Sequence, residues 1–134
     1  MTEKTFPACG DALPDAIAFV EETLDRLDCP MKTVMQITVC VEEMFVNVAH
    51  YAYSGADGEV TLSVDEESGS VSITLIDAGK PFDPLAKDDP DITLSAEERN
   101  IGGLGIFLVK KSMDEVFYER KDDKNIFTMK KVLR

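Results

Sequence analysis

The stretch EVTLSVDEESGSVSITLID (Glu59–Asp77) decides the fold. Val60, Leu62 and Val64, and then Val71, Ile73 and Leu75, alternate with polar residues, which is the period of a strand that buries one face and wets the other. Glu-Glu-Ser-Gly-Ser between the two runs is a cluster of turn formers. The stretch reads as a β-hairpin, and its apolar side requires a second layer.

The residues upstream supply that layer. From Asp11 to Leu27, the apolar residues Leu13, Ile17, Val20, Leu24 and Leu27 recur at helical spacing. A second helix is expected to begin with Pro30 and to run to about Tyr51, with Val34, Ile37, Val41, Phe45 and Val48 as its core stripe. Before both, KTFPA is a short edge strand limited by Pro7. Downstream, from Asp77 to Ile101, periodicity gives way to Gly, Pro and charge. That run exceeds an ordinary connection, so it is a candidate functional loop and is expected to be mobile. Leu104 to Met113 returns to helix, and DEVFYER and NIFTMKKVL alternate as two strands around the turn KDDKN. The expected order is strand, helix, helix, two strands, loop, helix, two strands. This is an α+β two-layer sandwich, with helices on one face of a mixed, mostly antiparallel sheet, and a single domain over residues 1–134.

Composition narrows the function classes. The formal charge of −12 opposes extended contact with nucleic acid or an anionic membrane, since binding phosphates needs clustered Lys and Arg. An anionic ligand would need local amides, a metal or a few basic side chains to overcome the surrounding negative potential. No apolar run is long enough to cross a bilayer, and MTEKTFPACG lacks the pattern of a secretion signal, so a cytoplasmic location is expected. Cys9, Cys29 and Cys40 lack metal-ligand spacing and are read as small, reduced hydrophobes.

Three elements stand out chemically. In CVEEMFVNVAHYAY (Cys40–Tyr53), Glu43 and Asn47 lie one helical turn apart and share a face, with His50 near the same meridian. Either they solvate a helix flank or that face looks into a site. Asp77 closes a strand, where its carboxylate can accept a hydrogen bond from a ligand, and Gly79 lets a flat group approach the backbone. An ordinary Asp-Gly turn is the plainer alternative. In NIGGLGIFLVKK, Gly102, Gly103 and Gly105 stand where a helix starts, leaving free amides and the positive dipole end open to an anion. The pattern is neither a Walker A loop nor a Rossmann fingerprint.

In chain order, Glu-x-x-x-Asn, Asp-x-Gly-x-Pro-Phe and Gly-Gly-Leu-Gly resemble the N, G1 and G2 boxes of the GHKL ATPase superfamily, which includes gyrase and the histidine kinases. From about Phe6 to Leu133, MDEV at Met113–Val116 included, the chain is more similar to its bacterial branch of anti-sigma-factor serine/threonine kinases. The resemblance implies the Bergerat fold, with ATP and Mg²⁺ as cofactors. Asn47 would ligate Mg²⁺ and Glu43 would be the general base. Asp77 would accept from the adenine amino group, Gly79 would pack near the base, and the segment Gly102, Gly103, Leu104 and Gly105 would hold the phosphates. Arg99 and Asn100 resemble the end of a lid that reaches the γ-phosphate, and His50 falls where histidine kinases often carry a phosphate-contacting Lys. Lys80, Lys110 and Lys111 are further candidate anion partners.

Departures from the family pattern are Tyr51-Ala52-Tyr53 in place of His-Ala-Tyr, Pro81 in place of a G1 glycine, and Lys124-Asn125 in place of a Gly-Thr pair. The function implied is an ATP-dependent protein serine kinase acting as an anti-sigma factor. It would hold a sigma factor and phosphorylate a STAS-type anti-anti-sigma protein, with a lid bearing the acidic runs DDPD and EE switching partners by nucleotide state. A homodimer through the N-terminal strand and first helix is implied as well. Two alternatives stay open: an ATP-binding module that sequesters a protein partner without kinase activity, and a domain of this fold that regulates something other than transcription initiation.

Overall fold

Alternation in the hairpin places Val60, Leu62, Val64, Val71, Ile73 and Leu75 on one side of a sheet, and all six are buried there. The computed structural model describes residues 2–53, 57–85 and 103–133. Its elements are β1 (Thr2–Pro7), a 3-10 turn (Gly10–Ala12), α1 (Leu13–Arg26), α2 (Met31–Asn47), a π turn (Val48–Ala52), β2 (Glu59–Glu67), β3 (Ser70–Asp77), α3 (Gly103–Ser112), β4 (Glu115–Lys121) and β5 (Lys124–Val132). The order is the expected one. The candidate lid, including Arg99, Asn100, Gly102 and both acidic runs, lies outside the described residues.

Two boundaries shift for local reasons. Pro30 caps α2 rather than opening it, since its ψ of 144° is extended. The helix expected to reach Tyr51 remains α only to Asn47 and then widens, with the Tyr53 N–H reaching back five residues to the Val48 carbonyl at 3.2 Å. At the end of α1, Asp28 takes φ 56°, its N–H bonds the Asp25 carbonyl and the Cys29 N–H bonds the Leu24 carbonyl. This closes orphan carbonyls with an Asp where a glycine is usual.

The five strands are ordered β1-β2-β3-β5-β4, and every neighbouring pair is antiparallel. Helix α2 packs between α1 and α3 over one face. Ala16, Val20 and Leu24 from α1, Ile37, Val41 and Phe45 from α2, and Val109 from α3 fill the layer against the sheet. Burying each of the larger aliphatic or aromatic side chains stabilises the fold by about 1.5–3 kcal/mol. The other face carries Thr5 against Thr61 at 2.8 Å and Thr74 against Thr128 at 3.3 Å, polar pairs that need no covering layer. Register then sets up the site: Asp77 pairs with Asn125, and Asn125 with Arg120, so the three stand abreast at one end of the helix-facing side.

Candidate functional site

Asn47 is 2% exposed, and its amide has a defined orientation. The Glu43 carbonyl can only accept, so Asn47 Nδ2 faces it at 2.7 Å and Oδ1 points elsewhere. Oδ1 is the one buried side-chain polar atom among the described residues that has no hydrogen-bond partner. A buried amide oxygen left unpaired costs stability, and a water, an ion or a ligand at this position would offset that cost. One turn earlier, Glu43 is half-buried and faces α3. There Gly105 comes so close that a Cβ on it would run into Glu43 Oε2. The first and third elements singled out in the sequence therefore meet across the α2–α3 seam.

The π turn joins the first element to the second. By widening, it directs the Ala52 carbonyl at the Lys80 N–H, 2.9 Å away, and a Cβ on Gly79 would lie 2.5 Å from that same oxygen. Gly79 is thus required by a close backbone approach. Tyr51 stacks on Phe82, with ring centroids 5.0 Å apart. The Tyr53 hydroxyl donates to the Glu59 carbonyl at 2.6 Å and accepts from the Ala78 N–H at 3.0 Å. His50 is exposed, lies within the π turn and rests near the Tyr51 ring.

Around Asp77 a clamp forms that the sequence did not announce. Asp77 Oδ1 accepts from the Gly79 N–H and from Asn125 Nδ2, both at 2.9 Å. Arg120 donates to the Gly79 carbonyl at 2.8 Å, and the Tyr118 hydroxyl donates to Asn125 Oδ1 at 2.5 Å. Burial pushes the Asp77 carboxyl above its usual range, while Asn125, the Gly79 amide and Arg120 pull it back. Burial likewise raises the Tyr118 hydroxyl, which keeps it a donor at neutral pH. Neither Tyr118 nor Arg120 was a candidate from the sequence. The signal was the strand register, which puts Asn125 opposite Asp77 and Arg120 opposite Asn125.

Lys110 and Lys111 stand in the last turn of α3, whereas the glycines open its first. About 10 Å of helix rise separates them from that end. Of the glycine-rich start, Gly103, Leu104 and Gly105 lie in the first turn of α3. Cys9, Cys29 and Cys40 are free thiols.

The donor set suits Mg²⁺. A single hard oxygen from Asn47 leaves the remaining positions to water and phosphate, the coordination this ion prefers. Among the described residues no cluster of three or more His, Cys, Asp or Glu is placed to hold a metal. The Asp77 carboxylate and the close Gly79 turn thus stand at one end of an α+β domain, with the Asn47 amide and the glycine-opened start of α3 both against Glu43. The histidine kinase-like ATPase domain family matches residues 6–131, and the chain belongs to it.

Relatives within that family carry kinase names. The chain is 25% identical over 116 residues to the serine/threonine-protein kinase BtrW of Bordetella bronchiseptica, covering 86% of this chain and 82% of that one. It is 29% identical over 90 residues to the serine-protein kinase RsbW of Listeria monocytogenes, covering 63% of this chain and 57% of that protein. Among solved structures, the RsbU and RsbW domains of Rv1364c from Mycobacterium tuberculosis share the fold, with a TM-score of 0.67, 14% identity, and coverage of 99% of this chain and 33% of that one.

Proposed function

We propose that the protein is an ATP-dependent serine kinase that acts on a protein substrate and, as part of a partner switch, holds a sigma factor. The observation that carries this is the buried, unpartnered Asn47 Oδ1 one turn from Glu43, with the backbone of Gly105 against the same carboxylate. Met31, Met35, Val39 and Val46 are exposed on the outward side of the helix that bears Glu43. An exposed apolar run of this kind favours a protein over a small molecule as acceptor.

Bound Mg²⁺ supplies charge neutralisation on the transferred phosphoryl group. The chain supplies position. Asn47 Oδ1 would hold the metal, Asp77 would fix the base, and the first-turn amides of α3 at Gly103, Leu104 and Gly105 would face the phosphates. Glu43 would take the proton from the substrate serine hydroxyl as its oxygen forms a bond to the γ-phosphorus and the bond to the ADP oxygen breaks. The natural substrate would be a STAS-type anti-anti-sigma protein.

Transfer of label from γ-labelled ATP to such a substrate tests the proposal. Glu43→Gln should keep Mg-ATP affinity and lose about 10²-fold or more in transfer, the usual range for removing a general base. Asn47→Ala should weaken Mg-ATP binding itself. Undiminished transfer by Glu43→Gln would remove the base, and equal Mg-ATP affinity in Asn47→Ala would remove the metal ligand.

A further inference from the structure

Asn125 is 4% exposed and uses every hydrogen-bonding position it has. Its Nδ2 donates to Asp77 Oδ1 at 2.9 Å and to the Lys80 carbonyl at 2.8 Å; its Oδ1 accepts from the Phe82 N–H at 3.1 Å and from the Tyr118 hydroxyl at 2.5 Å. Two donors and two lone pairs are all that a carboxamide offers. Asn125 therefore has nothing left to give a ligand, and its role is toward Asp77.

The described hydrogen bonds of Asp77 converge on Oδ1, from Asn125 and from the Gly79 N–H. A carboxylate pinned through one oxygen by two donors has a single orientation. Its other oxygen is left as a pure acceptor. Such an oxygen suits an amino group and rejects a carbonyl, because two acceptors face to face leave both unpaired.

We infer that Asn125, braced by Tyr118, is a positioning residue that makes the Asp77 site select a purine bearing an amino group over one bearing a carbonyl at the same ring position. The inference rests on Asp77 being the base acceptor, as proposed above. Without Asn125 the carboxylate would be free to turn. It would also lose the strongest of the interactions that lower its raised proton affinity, so a protonated Asp77 could then donate to a carbonyl. Both changes erode selectivity in the same direction.

Calorimetric titration of ATP and ITP, each with Mg²⁺, into the wild type, Asn125→Ala and Tyr118→Phe provides the test. ITP carries a carbonyl where ATP carries its amino group. The wild type should prefer ATP by roughly tenfold or more, the scale of one mismatched buried hydrogen bond. In Asn125→Ala that ratio should fall to about threefold or less, with Tyr118→Phe between the two. A merely structural role would weaken both nucleotides equally, and an unchanged ratio in Asn125→Ala would overturn the inference while leaving the Asp77 assignment standing. Absence of any ATP preference in the wild type would overturn the Asp77 assignment, and the inference with it. Should Asn125→Ala fail to fold, the ratio in Tyr118→Phe decides by the same criterion, since that variant removes one hydroxyl and leaves the amide in place.

Discussion

Asp77 sits in a place that disfavours its ionised form, because burial raises its proton affinity more than Asn125, the Gly79 amide and Arg120 lower it. A carboxyl whose folded pKa exceeds its unfolded value costs stability when charged, and folding gains as pH falls through that raised value. At neutral pH Asp77 therefore subtracts from stability, and the isosteric Asp77→Asn variant should unfold at the same or a higher temperature than the wild type. Its Oδ1 can still accept from Gly79 and Asn125, but its free end becomes a donor. Calorimetry should show ATP binding lost or inverted in favour of ITP; a variant that binds ATP as before would remove Asp77 from base recognition. In the wild type, ATP affinity should decline as pH drops through the raised pKa, since protonation converts the acceptor to a donor. A flat affinity profile from neutral pH into the acid range would contradict that role.

At the scale of elements, the seam between α2 and α3 can be tested at Gly105. Alanine is the better helix former by about 1 kcal/mol, so Gly105→Ala should not lower the melting temperature if Glu43 simply swings aside. The displaced carboxylate should nonetheless lose about 10² in phosphoryl transfer, the cost of misplacing a catalytic group by about 1 Å. Full transfer activity in a folded Gly105→Ala protein would separate Glu43 from the chemistry. The β4–β5 turn offers an independent test of the fold. Asp122 and Asp123 both take positive φ, 54° and 60°, and Asp123→Gly should stabilise by about 1 kcal/mol, read as a melting temperature raised by a few degrees. No gain in thermal unfolding would mean the turn carries no strain. These elements also mark what the sequence could disclose. Glu43 and Asn47 were legible because a spacing of four fixes a shared helix face whatever surrounds it. The hairpin was legible because alternation and Ser68-Gly69 agree. The π turn was not, since it depends on how Ala52 meets Lys80 and Gly79 across the fold. The Asn125 clamp was not, since it requires knowing that β5 rather than β4 lies beside β3.

For the whole molecule, the net charge of −12 acts against an anionic ligand over distances comparable to the Debye length, about 10 Å at 0.1 M salt. Association with Mg-ATP should therefore quicken as salt is raised from about 20 to 200 mM, opposite to the behaviour of an electrostatically steered pair. Stopped-flow binding that slows with salt would show that local cations outweigh the global field. The chain contains three tyrosines and no tryptophan. All three border the clamp: Tyr51 on Phe82, Tyr53 on Ala78, Tyr118 on Asn125. Tyrosine emission from the unlabelled polypeptide thus arises wholly from this one corner, and the protein carries its own optical gauge of whether that corner is filled.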